Sequence, residues 1–441
     1  MLGLAVVVSA LGVVVTMVPD RSLFVKGVAV LIVGVAVALL IYRNFAAFVM
    51  LSLATRSAAD YLHAGTVVGA GFLGASGAWL LVRWRAGRMP TLSRAARALL
   101  FLTFGAVIGS LGAVDPAYSV NAAAKLLSVA LVFITVETLV VDRPQLRIRF
   151  VATALVAGIA PYTLAIFQLV LGQGNQTDLA VSRVQGTFNH PNVLAMFGAT
   201  QLLLAVALWP HVNSRFRRVL GVSGALASVA ILFSYARAAW IGVVVAGLVL
   251  LFRYSRRAAW TAIAVLALLV LTVPSIQTRV ADLNADKPTD PTFHGSANSF
   301  AWRLEYWRHI APGFAQAPLT GLGLEATQKQ NPVHLEPHNS YLQTVLEMGT
   351  LGAIGLVWVG MEFKRSARRS RDSKEPLLAG LSAGASAAGL AIAVIAVTEN
   401  VLTQPVVLWY VVLPFALLRS NDRSQPSFAM HVPTQSRMVT S

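Results

Sequence analysis

Apolar residues in this chain fall in long blocks: stretches such as 219–233 and 258–273 are continuously apolar. Blocks near the length needed to cross a bilayer, about 20 residues, recur along almost the whole chain, and short clusters of Arg, Pro, Asn and Asp separate them. A closed β-barrel would show segments of roughly ten alternating residues instead. Helices are therefore the expected spanning element, since only they satisfy their own backbone inside a bilayer. The first block, 2–18, lacks the basic start and small-residue cleavage site of a secretory signal, and a second apolar block follows at once. It reads as a retained helix. From residue 62 onward the pattern predicts about eleven helices, whereas 43–60 fits an interfacial helix, a short span or a loop. The expectation is an all-α integral membrane protein of about 12 transmembrane helices, roughly twelve to thirteen if the N-terminal part is counted generously.

Composition agrees. The 441 residues are 56% hydrophobic and 12% charged, with a mean hydropathy of +0.68, against about 25% charged in an average soluble domain. The net charge of +17 would suggest nucleic acid as the partner of a soluble protein. Here the basic residues lie between the helices, so membrane lipids are expected partners and nucleic acid is not. Segments 83–97, 143–149, 215–218, 253–257 and 364–374 are dense in Arg and Lys, which assigns them to the cytoplasmic side of a bacterial inner membrane. Segments 114–120, 172–191, the turn near Arg237, 274–337 and 399–405 then face the periplasm. Four parts follow: N-terminal transmembrane helices over 1–273, a long periplasmic loop over 274–337, C-terminal transmembrane helices over 338–419, and a polar tail, 420–441, expected to be cytoplasmic and disordered. The chain has no Cys, which removes disulfides, thiolate nucleophiles and thiolate metal sites.

Loops beyond about 15 residues are usually functional or disordered, and 274–337 is the longest. Its second half contains SFAWRLEYWRHIAPGF, in which Trp302, Tyr306 and Ile310 recur at helical spacing. That predicts an amphipathic helix at the membrane surface. Arg303 and Arg308, with Trp302 and Trp307, read as an outward-facing basic and aromatic cluster, suited to a lipid phosphate or sugar rings or simply to anchoring at the interface. His338 follows Pro337 at the outer mouth of the next span. Its imidazole can accept a proton near neutral pH, and Asn339 and Ser340 can aim helix N-terminal donors at an anion, although the same residues could merely cap the helix. Arg237 sits between two apolar blocks where an arginine is costly without a partner. It suits a phosphate or a lipid headgroup. Arg183, in SRVQGTFNHPN, precedes a turn into the next helix. His334 and His338 have the spacing of a metal pair, but Pro337 opposes a helix through them, and no metal site is assigned. No P-loop or dinucleotide fingerprint occurs.

These segments, in this order, resemble the O-antigen ligase and polymerase superfamily of bacterial cell envelopes, over roughly 113–418. The carrying motifs are His338 and Asn339 followed by Gly349 and Gly352; Ser234, Arg237 and Gly242; Arg303 and Trp307 followed by PLTGLG; and the run from Gly186 to Asn192. The resemblance implies a membrane glycosyltransferase of the GT-C type that takes a glycan from undecaprenyl pyrophosphate on the periplasmic side. Ligases attach O-antigen to lipid A-core, polymerases extend it, and protein-modifying members often carry a larger C-terminal periplasmic portion, which this chain, ending soon after its last helix, is not expected to have. A dominant loop before the His motif favours the ligase, with an undecaprenyl-pyrophosphate-linked donor and a lipid A-core acceptor. In that reading Arg237 and Arg303 hold the pyrophosphate with Arg183 and Arg308 as helpers, His338 is the general base, Asn339 and Trp307 support it, and no metal or cofactor takes part. A direct displacement of this kind inverts the anomeric centre. A transporter is the competing class, but no internal repeat pairs the two halves, and the polar candidates gather at one face instead of near the midplane.

Overall fold

The computed structural model describes residues 34–113, 115–176, 182–272, 277, 299–329 and 336–419. The expected helix at 2–18, the polar half of the long loop, His334, the side chain of Trp302 and the tail beyond Arg419 lie outside them. The described chain is helical. In order it forms α1 (Gly34–Arg43), α2 (Phe45–Ala59), α3 (Gly65–Arg85), α4 (Arg94–Leu111), α5 (Pro116–Asp142), α6 (Leu146–Ala157) and α7 (Ile159–Val170). A two-stranded hairpin, β1 (Asn175–Gln176) and β2 (Ser182–Arg183), pairs Asn175 with Arg183. Then come α8 (Pro191–Leu208), α9 (Ser214–Phe233), α10 (Arg237–Tyr254), α11 (Arg256–Thr272), α12 (Ser299–Ile310), α13 (Ala326–Lys329), α14 (Ser340–Ser370), α15 (Pro376–Ile395) and α16 (Pro405–Ala416). Among the described residues nine helical stretches are long and apolar enough to cross a membrane, with α6 and α7 counted as one, and α1, α2 and α16 are shorter apolar helices. The chain is a multi-pass helical membrane protein.

The ambiguous segment 43–60 is the helix α2. Asn44 caps it by accepting from the Ala47 amide at 3.1 Å, and Val49 and Leu53 are fully buried. Its last turn carries Arg56, paired with Asp60 at 2.6 Å, and Ser57, which donates to the Ala157 carbonyl at 2.5 Å. Those polar residues blurred its hydropathy although they are satisfied inside the bundle.

Apolar association alone cannot hold helices together in lipid, so close packing of small residues does. α15 buries Ala383, Ala385, Ala387, Ala388 and Ala391 and packs on α8 and α10, while α14 packs on α4. At the centre, every residue of α16 after Pro405 is buried, and Trp409 donates to Ser128 of α5 at 3.0 Å.

The bundle has two distinct ends. At one, the basic segments meet: Arg83 pairs with Asp142 at 2.8 Å, Arg147 reaches Glu375 at 3.2 Å and the Leu417 carbonyl at 3.1 Å, and Arg419 donates to the Thr91 carbonyl at 3.2 Å. At the other lie the hairpin, the α9–α10 turn, α12, α13, the start of α14 and the segment 396–404. The alternation of basic and non-basic loops in the sequence is thus reproduced in space.

α14 is broken at Gly349, whose φ of 60° and ψ of −157° are not helical. The break releases backbone groups to a strap formed by residues 317–323, itself turned by a bond from the Gly321 amide to the Ala317 carbonyl at 2.8 Å. Leu322 and Gly323 amides donate to the Leu346 and Glu347 carbonyls at 2.9 and 3.0 Å, and Thr350 and Leu351 amides donate to the Pro318 and Leu319 carbonyls at 2.9 and 3.3 Å. A Cβ at Gly349 would lie 2.5 Å from the Leu319 carbonyl, and one at Gly321 would lie 2.3 Å from Glu347 backbone. Two sequence motifs, PLTGLG and the glycine of the His motif, are therefore one structural unit. Non-helical backbone within a bundle is tolerated in this way, when protein satisfies it.

Candidate active site around Glu399

The site starts from α14. Asn339 is its N-cap, and its side chain accepts from the Tyr341 and Leu342 amides, each at 3.0 Å. His338, just before the cap, has φ of 48°, a left-handed backbone uncommon for a residue with a side chain and enriched at functional positions. The segment after α15 holds it there. Asn400 accepts from the Asn339 amide at 3.2 Å and donates to Glu336 at 2.6 Å, and Ser340 donates to the Glu399 carbonyl at 2.8 Å while accepting from the Val401 amide at 2.8 Å. Trp307 of α12 adds a bond from its indole to the Pro337 carbonyl at 2.5 Å.

This lacing brings one buried carboxylate to the middle of the candidates. Glu399, 7% exposed, lies 3.8 Å from Nδ1 of His338 and 3.5 Å from Nη2 of Arg303, and it also accepts a hydrogen bond from Asn192. Burial pushes the Glu399 carboxyl up, but His338, the Arg303 charge and Asn192 outweigh it and hold the group below its ordinary value. It is an anion at neutral pH. Arg183 reaches the same cluster from β2, donating to Asn192 at 2.7 Å and to the Ser234 carbonyl at 2.8 Å. Burial, followed by the Arg183 charge, lowers His190, which caps α8 beside them. Burial raises the Glu336 carboxyl, partly offset by Asn400.

The sequence candidates divide accordingly. His338, Arg303, Arg183, Asn339 and Trp307 are joined by direct contacts or through one shared residue. Arg237 opens α10 directly after the turn that receives Arg183, at the same end of the bundle. On α12 the inward face carries Arg303, buried Tyr306 and Trp307, at helical spacing, whereas the side chain of Arg308 is exposed. Among the described residues no group of three His, Asp or Glu side chains is placed to hold a metal ion.

Residues 222–357 match the family model described as O-antigen ligase. The match supports membership of the O-antigen ligase/polymerase superfamily. The match contains Arg237, Arg303, Trp307, Arg308, His338, Asn339 and the Gly349 break, and it stops short of Arg183 on one side and Glu399 on the other. Comparison with curated proteins gives no match. Members of that superfamily are glycosyltransferase-like membrane enzymes, which supports an enzyme role in O-antigen biosynthesis. Glu399, at the centre of the candidate cluster, is the residue that the sequence did not disclose. Its signal was an acid in an otherwise uncharged outer segment, VTENVLTQP, where an ionisable group near the membrane calls for a partner.

Proposed function

We propose that the protein is an O-antigen ligase: a metal-independent, inverting enzyme that transfers O-antigen polysaccharide from undecaprenyl pyrophosphate to lipid A-core on the periplasmic face. The observation that carries this reading is the convergence of His338, Arg303 and, through Asn192, Arg183 on the buried Glu399 carboxylate. In the proposed step a sugar hydroxyl of the acceptor attacks the anomeric carbon of the donor as the bond to the pyrophosphate oxygen breaks. His338 takes the hydroxyl proton, and the leaving pyrophosphate keeps the electron pair. With Nδ1 turned to Glu399, the tautomer that donates from Nδ1 leaves Nε2 with a free lone pair to act as base, and the carboxylate stabilises the imidazolium that forms. Arg303, Arg183 and Arg237 supply positive charge where the pyrophosphate develops negative charge, and Arg308 a peripheral contact. Planar guanidinium forks suit a diphosphate.

The deciding experiment is reconstitution. Purified protein given lipid-linked glycan and lipid A-core should join them, and deletion of the gene should leave bare lipid A-core while long polymer accumulates on undecaprenyl pyrophosphate. A core carrying a single repeat in the deletion strain would identify a polymerase instead.

A further inference from the structure

A second candidate site lies at the opposite end of the bundle from His338. A cavity of about 1340 Å³ opens there between the α3–α4 connection, the end of α5, the end of α14 and Arg419. Six arginines line it, Arg83, Arg88, Arg94, Arg97, Arg369 and Arg419, against three carboxylates. Those carboxylates are already engaged. Asp142 pairs with Arg83 at 2.8 Å, Glu362 pairs with Arg365 at 2.5 Å, and Glu137 accepts hydrogen bonds from Ser93. Among the described residues no ion pair involves Arg88, Arg94, Arg97 or Arg369, and all four are exposed. The N-terminus of α4, an 18-residue helix, opens into the same hollow at Ser93 and Arg94, which adds positive potential. Orientation in the membrane requires basic residues at this end. It does not require that they converge from separate segments on one concavity, or that the acids there already have partners and leave Arg88, Arg94, Arg97 and Arg369 outside any ion pair among the described residues.

We propose that this cavity binds a phosphate-bearing anion, with the headgroup of an anionic phospholipid or a soluble phosphate compound as its source. Guanidinium groups from two helices, Arg94 and Arg97 of α4 and Arg369 of α14, grip phosphate oxygens with charge-assisted hydrogen bonds. The volume exceeds that of an ordinary small-molecule pocket, about 300–1,000 Å³, so the anion sits among retained water. The inference is independent of the ligase reading, because it concerns a separate cavity and is read without any transfer assay.

The test uses the full chain in nanodiscs. Its thermal unfolding is followed as phosphatidylglycerol replaces phosphatidylcholine, and in a second arm as inorganic phosphate or pyrophosphate is added to phosphatidylcholine discs. The double variant Arg94→Gln/Arg97→Gln and the single variant Arg369→Gln are compared with Arg215→Gln/Arg218→Gln, which removes basic residues of α9 outside the cavity. Stabilisation by phosphatidylglycerol that the cavity variants weaken roughly tenfold or more, as loss of a charge-assisted bond predicts, and the α9 variant does not, identifies a lipid headgroup. The same pattern with inorganic phosphate or pyrophosphate identifies a soluble ligand. No stabilisation in either arm, or equal loss in the α9 variant, overturns the proposal. Should a cavity variant fail to fold, native mass spectrometry of the wild type decides: absence of any retained phosphatidylglycerol or phosphate also overturns it.

Discussion

At the residue scale, the contact between His338 and Glu399 is where the proposed chemistry is most exposed. His338→Ala should lower turnover by about two to four orders of magnitude, the usual worth of a general base, while binding of the lipid-linked donor stays near wild type; full turnover in a purified assay would leave His338 a capping residue only. Glu399→Gln keeps the size and removes the charge that favours imidazolium. It should lower turnover with donor binding changed far less, a split that a purely structural role would not produce. Because the Glu399 carboxyl is held below its ordinary value, its ionised form contributes stability at neutral pH that is lost as pH falls through that lowered value. Arg303→Lys should recover only part of the donor affinity lost in Arg303→Ala, since lysine keeps the charge without the fork. His338 and the arginines were legible in the sequence because an ionisable residue between apolar blocks is conspicuous. The role of Glu399 was not, because it depends on contacts with residues 61 and 96 positions earlier, and one-dimensional spacing carries no trace of them.

At the element scale, the break in α14 and the strap of residues 317–323 fix where His338 stands. Gly349→Ala would force a side chain into positive φ and into the Leu319 carbonyl, a strain of about 1–3 kcal/mol before the clash is counted. It should lower the melting temperature in detergent and reduce activity together. Gly360→Ala, on the same helix with open space around its Cβ, should leave both unchanged. Most helices were legible from the apolar blocks. The short buried α2 was ambiguous, because buried polar residues with partners look like exposed ones until the partners are seen.

At the scale of the whole molecule, the separation of a basic end from the end bearing His338 predicts sidedness. The chain has no cysteine, so Asp290→Cys and Ser370→Cys can be labelled singly without background. A membrane-impermeant maleimide added to intact spheroplasts should reach the first and not the second, and equal labelling would overturn the orientation. Transfer should also survive EDTA; activity abolished by chelation and restored by a divalent ion would shift the charge-stabilising role away from the arginines. The multi-pass architecture was legible in composition and block length alone, because a bilayer permits so few solutions. The cavity at the basic end was not, since the arginines that line it come from segments far apart in the chain.

The strap also sets rules for length variation. Because residues 318–323 are hydrogen-bonded across the Gly349 break, the chain between them forms a closed circuit with His338 on its rim. One residue inserted between Asn339 and Gly349 would turn the histidine by about 100° around the helix axis relative to the weld, away from Glu399. Residues inserted upstream of α12 lie outside the circuit and leave that alignment untouched. Insertions and deletions among relatives should therefore accumulate before α12 and be rare between the strap and Gly349, and tags or reporter domains should be accommodated in the first region and not in the second.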